Sequence, residues 1–84
     1  MPGPPANTVS AQRRSFGHRV RALRTERGIS QEKLAERSGL DRKTINRIEN
    51  GRFSVTLDRI FAIANALEVT PDELFRQLPT AEGN

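Results

Sequence analysis

The sequence predicts an all-α domain built from five short helices. Apolar residues recur at three- and four-residue spacing, and no stretch alternates with the period of two that a half-buried strand needs. Short polar side chains that cap helix starts precede the apolar runs at Ser30, Asp41, Thr56 and Thr70. Glycines stand where helices are expected to stop, at Gly28, Gly39 and Gly51. A length of 84 residues makes one small domain and no more.

Residues 1–9 read as a disordered tail, because Pro2, Gly3, Pro4 and Pro5 oppose regular structure. The first helix is expected to start near Ser10 and end at Gly28, with Phe16, Val20 and Leu23 on one face. The second opens at Ser30, carries Glu32 where the helix dipole favours an acid, turns Leu34 and Ala35 inward and ends at Gly39. The third opens at Asp41, turns Ile45 and Ile48 inward and ends at Gly51. The fourth starts near Thr56, with Leu57, Ile60, Ile63, Ala64 and Leu67 spaced as one apolar face. In the fifth, Thr70-Pro71-Asp72-Glu73 supplies an N-cap, a proline at the first helical position and a glutamate two further on, which is a capping box. Leu74, Phe75 and Leu78 are its apolar residues, and residues 79–84 read as a flexible tail, so the domain spans residues 10–78.

Charge is divided unevenly along this framework. Lys plus Arg is 14 and Asp plus Glu is 10, a net charge of +4. Residues 1–52 carry 12 basic and 5 acidic side chains, and residues 53–84 carry 2 and 5, so +7 is followed by −3. A basic half of this kind suits a polyanion, nucleic acid ahead of a membrane surface. With no Cys there is no disulfide framework, thiol nucleophile or Cys-based zinc site, and no cofactor or metal is expected. No apolar run approaches the ~18 residues of a membrane helix, and the N-terminus lacks the features of a secretory signal, so a soluble cytoplasmic protein is expected. His18, the only histidine, has no second His, Cys or carboxylate cluster with it, and reads as a solvated side chain. Arg13, Arg14, Arg19 and Arg21 likewise read as a mostly solvated face. No motif supplies a nucleophile or paired acids, and an enzyme is not expected.

The second and third helices, with their turn at Gly39, form a helix-turn-helix candidate at about residues 30–50. At about 100° per residue, with Ile45 at zero, the inner face of the third helix centres near 330°. Arg42, Lys43, Asn46 and Arg47 then fall at about 60°, 160°, 100° and 200°, on the outer side. This face holds three cations, one amide and no acid. Arg and Lys donate to guanine O6 and N7, and Asn pairs with adenine, so the face suits a major groove. The bland alternative is an ordinary charged surface, although such faces usually mix signs at four-residue spacing.

The same residues carry a family resemblance. Gly28-Ile29-Ser30-Gln31-Glu32-Lys33-Leu34-Ala35, Ser38-Gly39-Leu40-Asp41, Ile45, Ile48-Glu49-Asn50-Gly51 and Ala66-Leu67-Glu68-Val69 resemble the lambda-repressor-like helix-turn-helix family, the phage repressor and Cro type also called XRE. The likeness runs from about Phe16 to Phe75. Leu40-Asp41-Arg42 followed by Ile45, together with chain length, resembles most the controller proteins of restriction–modification systems. The resemblance implies a five-helix DNA-binding domain. It gives Gln31 a contact to backbone phosphate and a bracing role toward a recognition-helix side chain. It places Arg42, Lys43 and Arg47 on bases, and Asn50 and Arg52 on phosphates. Thr44 lies at the edge of the face, where it reaches a phosphate or a thymine methyl. The family also pairs the positions of Arg24 and Glu49 in a partly buried salt bridge.

Three positions stand apart from the family pattern. Glu68 occupies a site often taken by Gly in a left-handed turn, so either the backbone is strained or the turn differs. Phe53 lies in a loop that is usually polar and either packs on the fourth helix or contacts DNA sugars or a second subunit. Phe61 lies just off the core face of its helix and, with Phe75 and Leu78, marks a candidate dimer interface. The expected function is a homodimeric regulator of transcription, such as a repressor, that binds a palindromic operator in double-stranded DNA, as a restriction–modification controller or autoregulator, associated with the nucleoid when bound. The alternative is an antitoxin whose second partner is a protein toxin, though such proteins usually devote an extra segment to the toxin.

Overall fold

The computed structural model of the chain describes residues 6–52 and 54–80. These form four α-helices, α1 (Ala6–Glu26), α2 (Gln31–Ser38), α3 (Arg42–Glu49) and α4 (Leu57–Leu67), followed by a 3-10 helix at Pro71–Phe75. No strand occurs among the described residues. The expected disorder of residues 1–5 and 81–84, and both readings of Phe53, lie outside the described residues.

Each α-helix after the first starts at its expected cap. Ser30, Asp41 and Thr56 are extended, and each accepts a hydrogen bond from the backbone N–H three residues on. This satisfies one of the orphan donors at a helix start. The first helix corrects the expectation. It begins at Ala6, not near Ser10. Ala6-Asn7-Thr8-Val9 contains neither Gly nor Pro, so nothing after Pro5 stops the helix from running back. At the other end, Gln12 Nε2 donates to the Pro79 carbonyl at 2.9 Å and ties the chain just past Leu78 back onto α1.

The fifth element is a 3-10 helix of five residues, and the capping box does not form: Thr70 makes no side-chain cap bond. The cause is long-range. Arg19 of α1 donates from Nε to the Glu73 carbonyl at 2.8 Å and from Nη2 to Glu73 Oε1 at 3.0 Å. Arg76 Nη2 reaches Glu73 Oε2 at 2.8 Å. The carboxylate is therefore not free to cap. The carbonyl that would accept the next α-helical bond, from the Gln77 N–H, is held by Arg19, and Gln77 adopts φ 60° instead. Arg19 is a structural residue and not a solvated one.

Every element contributes to one core. Val20, Leu34, Ile45, Ile63, Leu67 and Leu74, drawn from all five, are fully buried. Leu57 is the exception to the expected apolar face of α4, being 62% exposed. Ile63, Ala64, Ala66 and Leu67 define the buried arc, and Leu57 stands roughly 100° from its middle at about 100° per residue. Behind α3, helix α1 lies against the chain at Gly17. A β-carbon there would lie 2.6 Å from the Glu49 carbonyl oxygen and closer still to that of Ile48. Only a residue without a side chain lets α1 lie on the end of α3.

Helix α4 ends at Glu68 in the left-handed conformation, φ 58° and ψ 41°, and the next N–H, of Val69, bonds back to the Ala64 carbonyl at 3.0 Å. The turn usual for glycine is thus kept with a residue that it strains by about 1 kcal/mol. Glu68→Gly relieves this, less the extra freedom gained by the unfolded chain, for a net gain of about 0.5 kcal/mol. Thermal unfolding followed by circular dichroism should show Tm rising by about 2–4 °C.

Candidate nucleic-acid interface

Two eight-residue helices, α2 and α3, are joined by residues 39–41. Gly39 sits at φ 74°, and the Leu40 N–H bonds back to the Ala35 carbonyl at 3.0 Å, which turns the chain sharply. Asp41 then starts α3, its Oδ1 accepting from the Thr44 N–H at 2.7 Å. That backbone hydrogen bond, with the Thr44 side chain, holds the Asp41 carboxyl below its ordinary value of 3.8. A depressed folded-state value means that the cap supports folding fully above pH 3.8. This support is lost as the pH falls through the lower folded-state value.

The burial of Ile45 and Ile48 decides which side of α3 faces out. Arg42, Lys43, Asn46 and Arg47 are exposed, and Thr44 is half-buried at the edge. After α3 the Arg52 N–H bonds to the Arg47 carbonyl at 2.9 Å, which curls the loop so that Asn50 and Arg52, both exposed, follow the same end of the helix. Among the described residues Arg42, Lys43, Arg47 and Arg52 form no ion pair. Three of the protein's carboxylates are engaged elsewhere: Glu49 with Arg24, Glu73 with Arg19 and Arg76, and Glu36 with Lys33, whose hydrogen bond also lowers the Glu36 pKa.

A buried ion pair holds the two helices on α1. Arg24 Nε donates to Glu49 Oε2 at 2.6 Å and Nη2 to Oε1 at 3.1 Å, a two-pronged geometry. Arg24 Nη1 donates to the Ile29 carbonyl at 2.9 Å, at the entry to α2. The Glu49 side chain is 1% exposed and that of Arg24 is 13%. Half-buried Gln31, the first residue of α2, adds a bond from Nε2 to Glu49 Oε1 at 3.0 Å. Its own Oε1 accepts from Asn46 Nδ2 at 3.5 Å. Asn50 Nδ2 in turn donates to the Asn46 carbonyl at 2.8 Å and to Asn46 Oδ1 at 3.3 Å. The structure thus brings Arg24, Glu49, Gln31, Asn46 and Asn50 into one network and leaves Arg42, Lys43, Arg47 and Arg52 outside it.

The residues of the candidate dimer interface differ in their exposure. Phe61 is 44% and Phe75 42% exposed, whereas Leu78 is half-buried against the core. The Phe75 ring packs on Phe16 with centroids 5.4 Å apart. Exposed Leu57, one turn before Phe61, widens the apolar surface of α4 in a way that the sequence pattern concealed. Two structural contacts escaped sequence reasoning altogether: Arg19 with Glu73, and the approach at Gly17. A Gly inside an otherwise helical pattern was the available signal for the second.

The chain belongs to the helix-turn-helix family, whose HTH_3 model, described as helix-turn-helix, matches residues 20–74. It is similar to control protein C.BamHI of Bacillus amyloliquefaciens, 45% identical over 60 residues that cover 70% of this chain and 74% of that protein. An uncharacterized transcriptional regulator in the ATPase CF(0) region of Rhodospirillum rubrum is 36% identical over 78 residues, 93% of this chain and 72% of that protein. The crystal structure of the restriction-modification controller protein C.AhdI from Aeromonas hydrophila shares the fold with a TM-score of 0.77 at 47% identity, covering 79% of this chain and 96% of that one. The protein is a transcriptional regulator of the lambda-repressor-like helix-turn-helix class.

Truncating one partner of the buried pair strands the other charge. Glu49→Ala should cost about 3–5 kcal/mol, seen as a large fall in Tm. An unchanged melting curve would show that the pair does not hold the fold.

Proposed function

We propose that the protein binds a palindromic operator in double-stranded DNA as a homodimer and acts as a restriction–modification controller or autoregulator. The observation that carries this reading is the outer face of α3, where three cations that form no ion pair flank an amide on a helix fixed from behind. Arg42, Lys43 and Arg47 donate to guanine edges, and Asn46 pairs with adenine. Thr44 reaches a phosphate or a thymine methyl. Gln31, at the positive end of α2, joins Asn50 and Arg52 in holding phosphates. Phosphate contacts set the register and base contacts specify the sequence.

Exposed Leu57 and Phe61 on α4, and a groove lined by Phe16, Ile60, exposed Phe75 and Leu78, support self-association. A two-fold dimer would present its two α3 helices to successive major grooves about 34 Å apart. The similarity to C.BamHI and C.AhdI, which their names describe as control and controller proteins, supports the controller role. The names of these relatives offer no counterpart to the toxin of the antitoxin alternative.

Selection of bound duplexes from a random pool should return a two-fold symmetric site. On that site Arg42→Ala should relax preference at one position of each half-site, by about 1–3 kcal/mol. Arg52→Ala should weaken all sequences evenly and reduce the slope of log affinity against log salt by about 1 per subunit. Anisotropy titrations over a salt series check both. An even loss on all sequences for Arg42→Ala would remove it from base reading.

A further inference from the structure

We infer that Glu49, beyond closing the ion pair with Arg24, sets the direction of a chain of amide hydrogen bonds that fixes how Asn46 presents its donor and acceptor to a base pair. The inference rests on the reading of α3 as the DNA-contacting helix.

The argument begins with what each group is able to do. A carboxylate only accepts hydrogen bonds, whereas a side-chain amide has two N–H donors and an oxygen with two lone pairs. Both oxygens of Glu49 are taken by Arg24, and Oε1 also accepts from Gln31. Gln31 therefore has to turn its nitrogen inward, because its carbonyl oxygen would meet an acceptor there. Its oxygen then faces out and needs a donor. Asn46 supplies one from Nδ2. With its nitrogen on that side, Asn46 offers its oxygen to Asn50, whose Nδ2 donates to it and to the Asn46 carbonyl. One acceptor-only group, almost wholly buried, thus orders three amides in sequence.

Counting what is left gives the consequence. Asn46 retains one N–H and one lone pair. One donor beside one acceptor is the complement of the adenine edge in the major groove, N7 and N6. An amide free to rotate by half a turn offers this pair in either order. One locked through Gln31 offers a single order and so rejects the base pair that needs the other. Glu49 touches no base in this scheme. It is a positioning residue that acts through Gln31, and it links the ion pair that holds the fold to the discrimination made on the surface.

The test uses the isosteric change Glu49→Gln, whose amide has one acceptor oxygen where the carboxylate has two, so that Arg24 and Gln31 no longer both find acceptors and Gln31 is released to turn over. The probes are a randomised duplex pool and then the selected duplex with single base-pair changes, applied to the folded full chain and its variants. Asn46→Ala identifies the position that Asn46 reads. At that position alone, Glu49→Gln and Gln31→Ala should each reduce the preferred base pair's advantage about tenfold, the worth of one bidentate contact. In the Gln31→Ala background, Glu49→Gln should add less than about twofold, because the link is already broken. The inference is overturned if Glu49→Gln leaves that preference intact, lowers every position evenly or acts equally in both backgrounds. Should Glu49→Gln not fold, Gln31→Ala keeps the Arg24 pair and decides the matter alone: a preserved preference overturns the inference. A wild-type chain that selects no sequence overturns the proposed function itself, and the inference with it.

Discussion

The pair between Arg24 and Glu49 lies where three parts of the chain meet. Its guanidinium comes from the last turn of α1 and also holds the backbone that enters α2. Its carboxylate is the final residue of α3 and also accepts from the first residue of α2. Desolvating two charges is costly, and an apolar pair of the same shape would hold the core at least as well. What an apolar pair lacks is direction. The forked geometry, with Gly17 bringing α1 against the end of α3, sets the rotation of α3 about its own axis as well as its distance. On the proposed reading, in which the outer side chains of α3 meet a groove, that rotation matters more than the last kilocalorie of stability.

The uneven charge along the chain acquires a spatial meaning once the acids are located. Glu49, Glu73 and Glu36 are spent on Arg24, Arg19 with Arg76, and Lys33. Each of these pairs serves the fold or an exposed helix surface. The cations on and just after α3 form no ion pair among the described residues, so part of the net positive charge of the first 52 residues lies on the outer side of that helix. The acidic remainder closes the core with α4 and the 3-10 helix and carries the exposed apolar side chains.

What was legible in the sequence was local. The caps at Ser30, Asp41 and Thr56 bond to backbone three residues away, so the chain spells them out within one turn. The outward face of α3 followed from two isoleucines and the helical repeat. Arg24 and Glu49 lie 25 residues apart, and it was the family resemblance, not spacing, that suggested them as partners. The failures were contacts made across the fold. Thr70 and Glu73 form a sound capping motif on paper, but Arg19, 54 residues away, takes the glutamate, and the helix is a 3-10 segment of five residues. Leu57 fits an apolar spacing but stands at the margin of the arc that α4 buries. The early start of α1 was hidden by the prolines at positions 2, 4 and 5, just before it in the sequence.

The split between networked and unpartnered residues on α3 divides its outer positions into two classes of exchangeability. Arg42, Lys43 and Arg47 form no ion pair within the fold, so, on the proposed reading of α3, a lineage of such regulators is free to swap them singly and acquire a new target while the scaffold stays as it is. Asn46 belongs to a set with Gln31, Asn50 and Glu49, in which the orientation of each member constrains the next. Change there proceeds by groups of residues or not at all. Divergence of target sequence should therefore be quick at the start and middle of the helix and slow along the edge that adjoins α2.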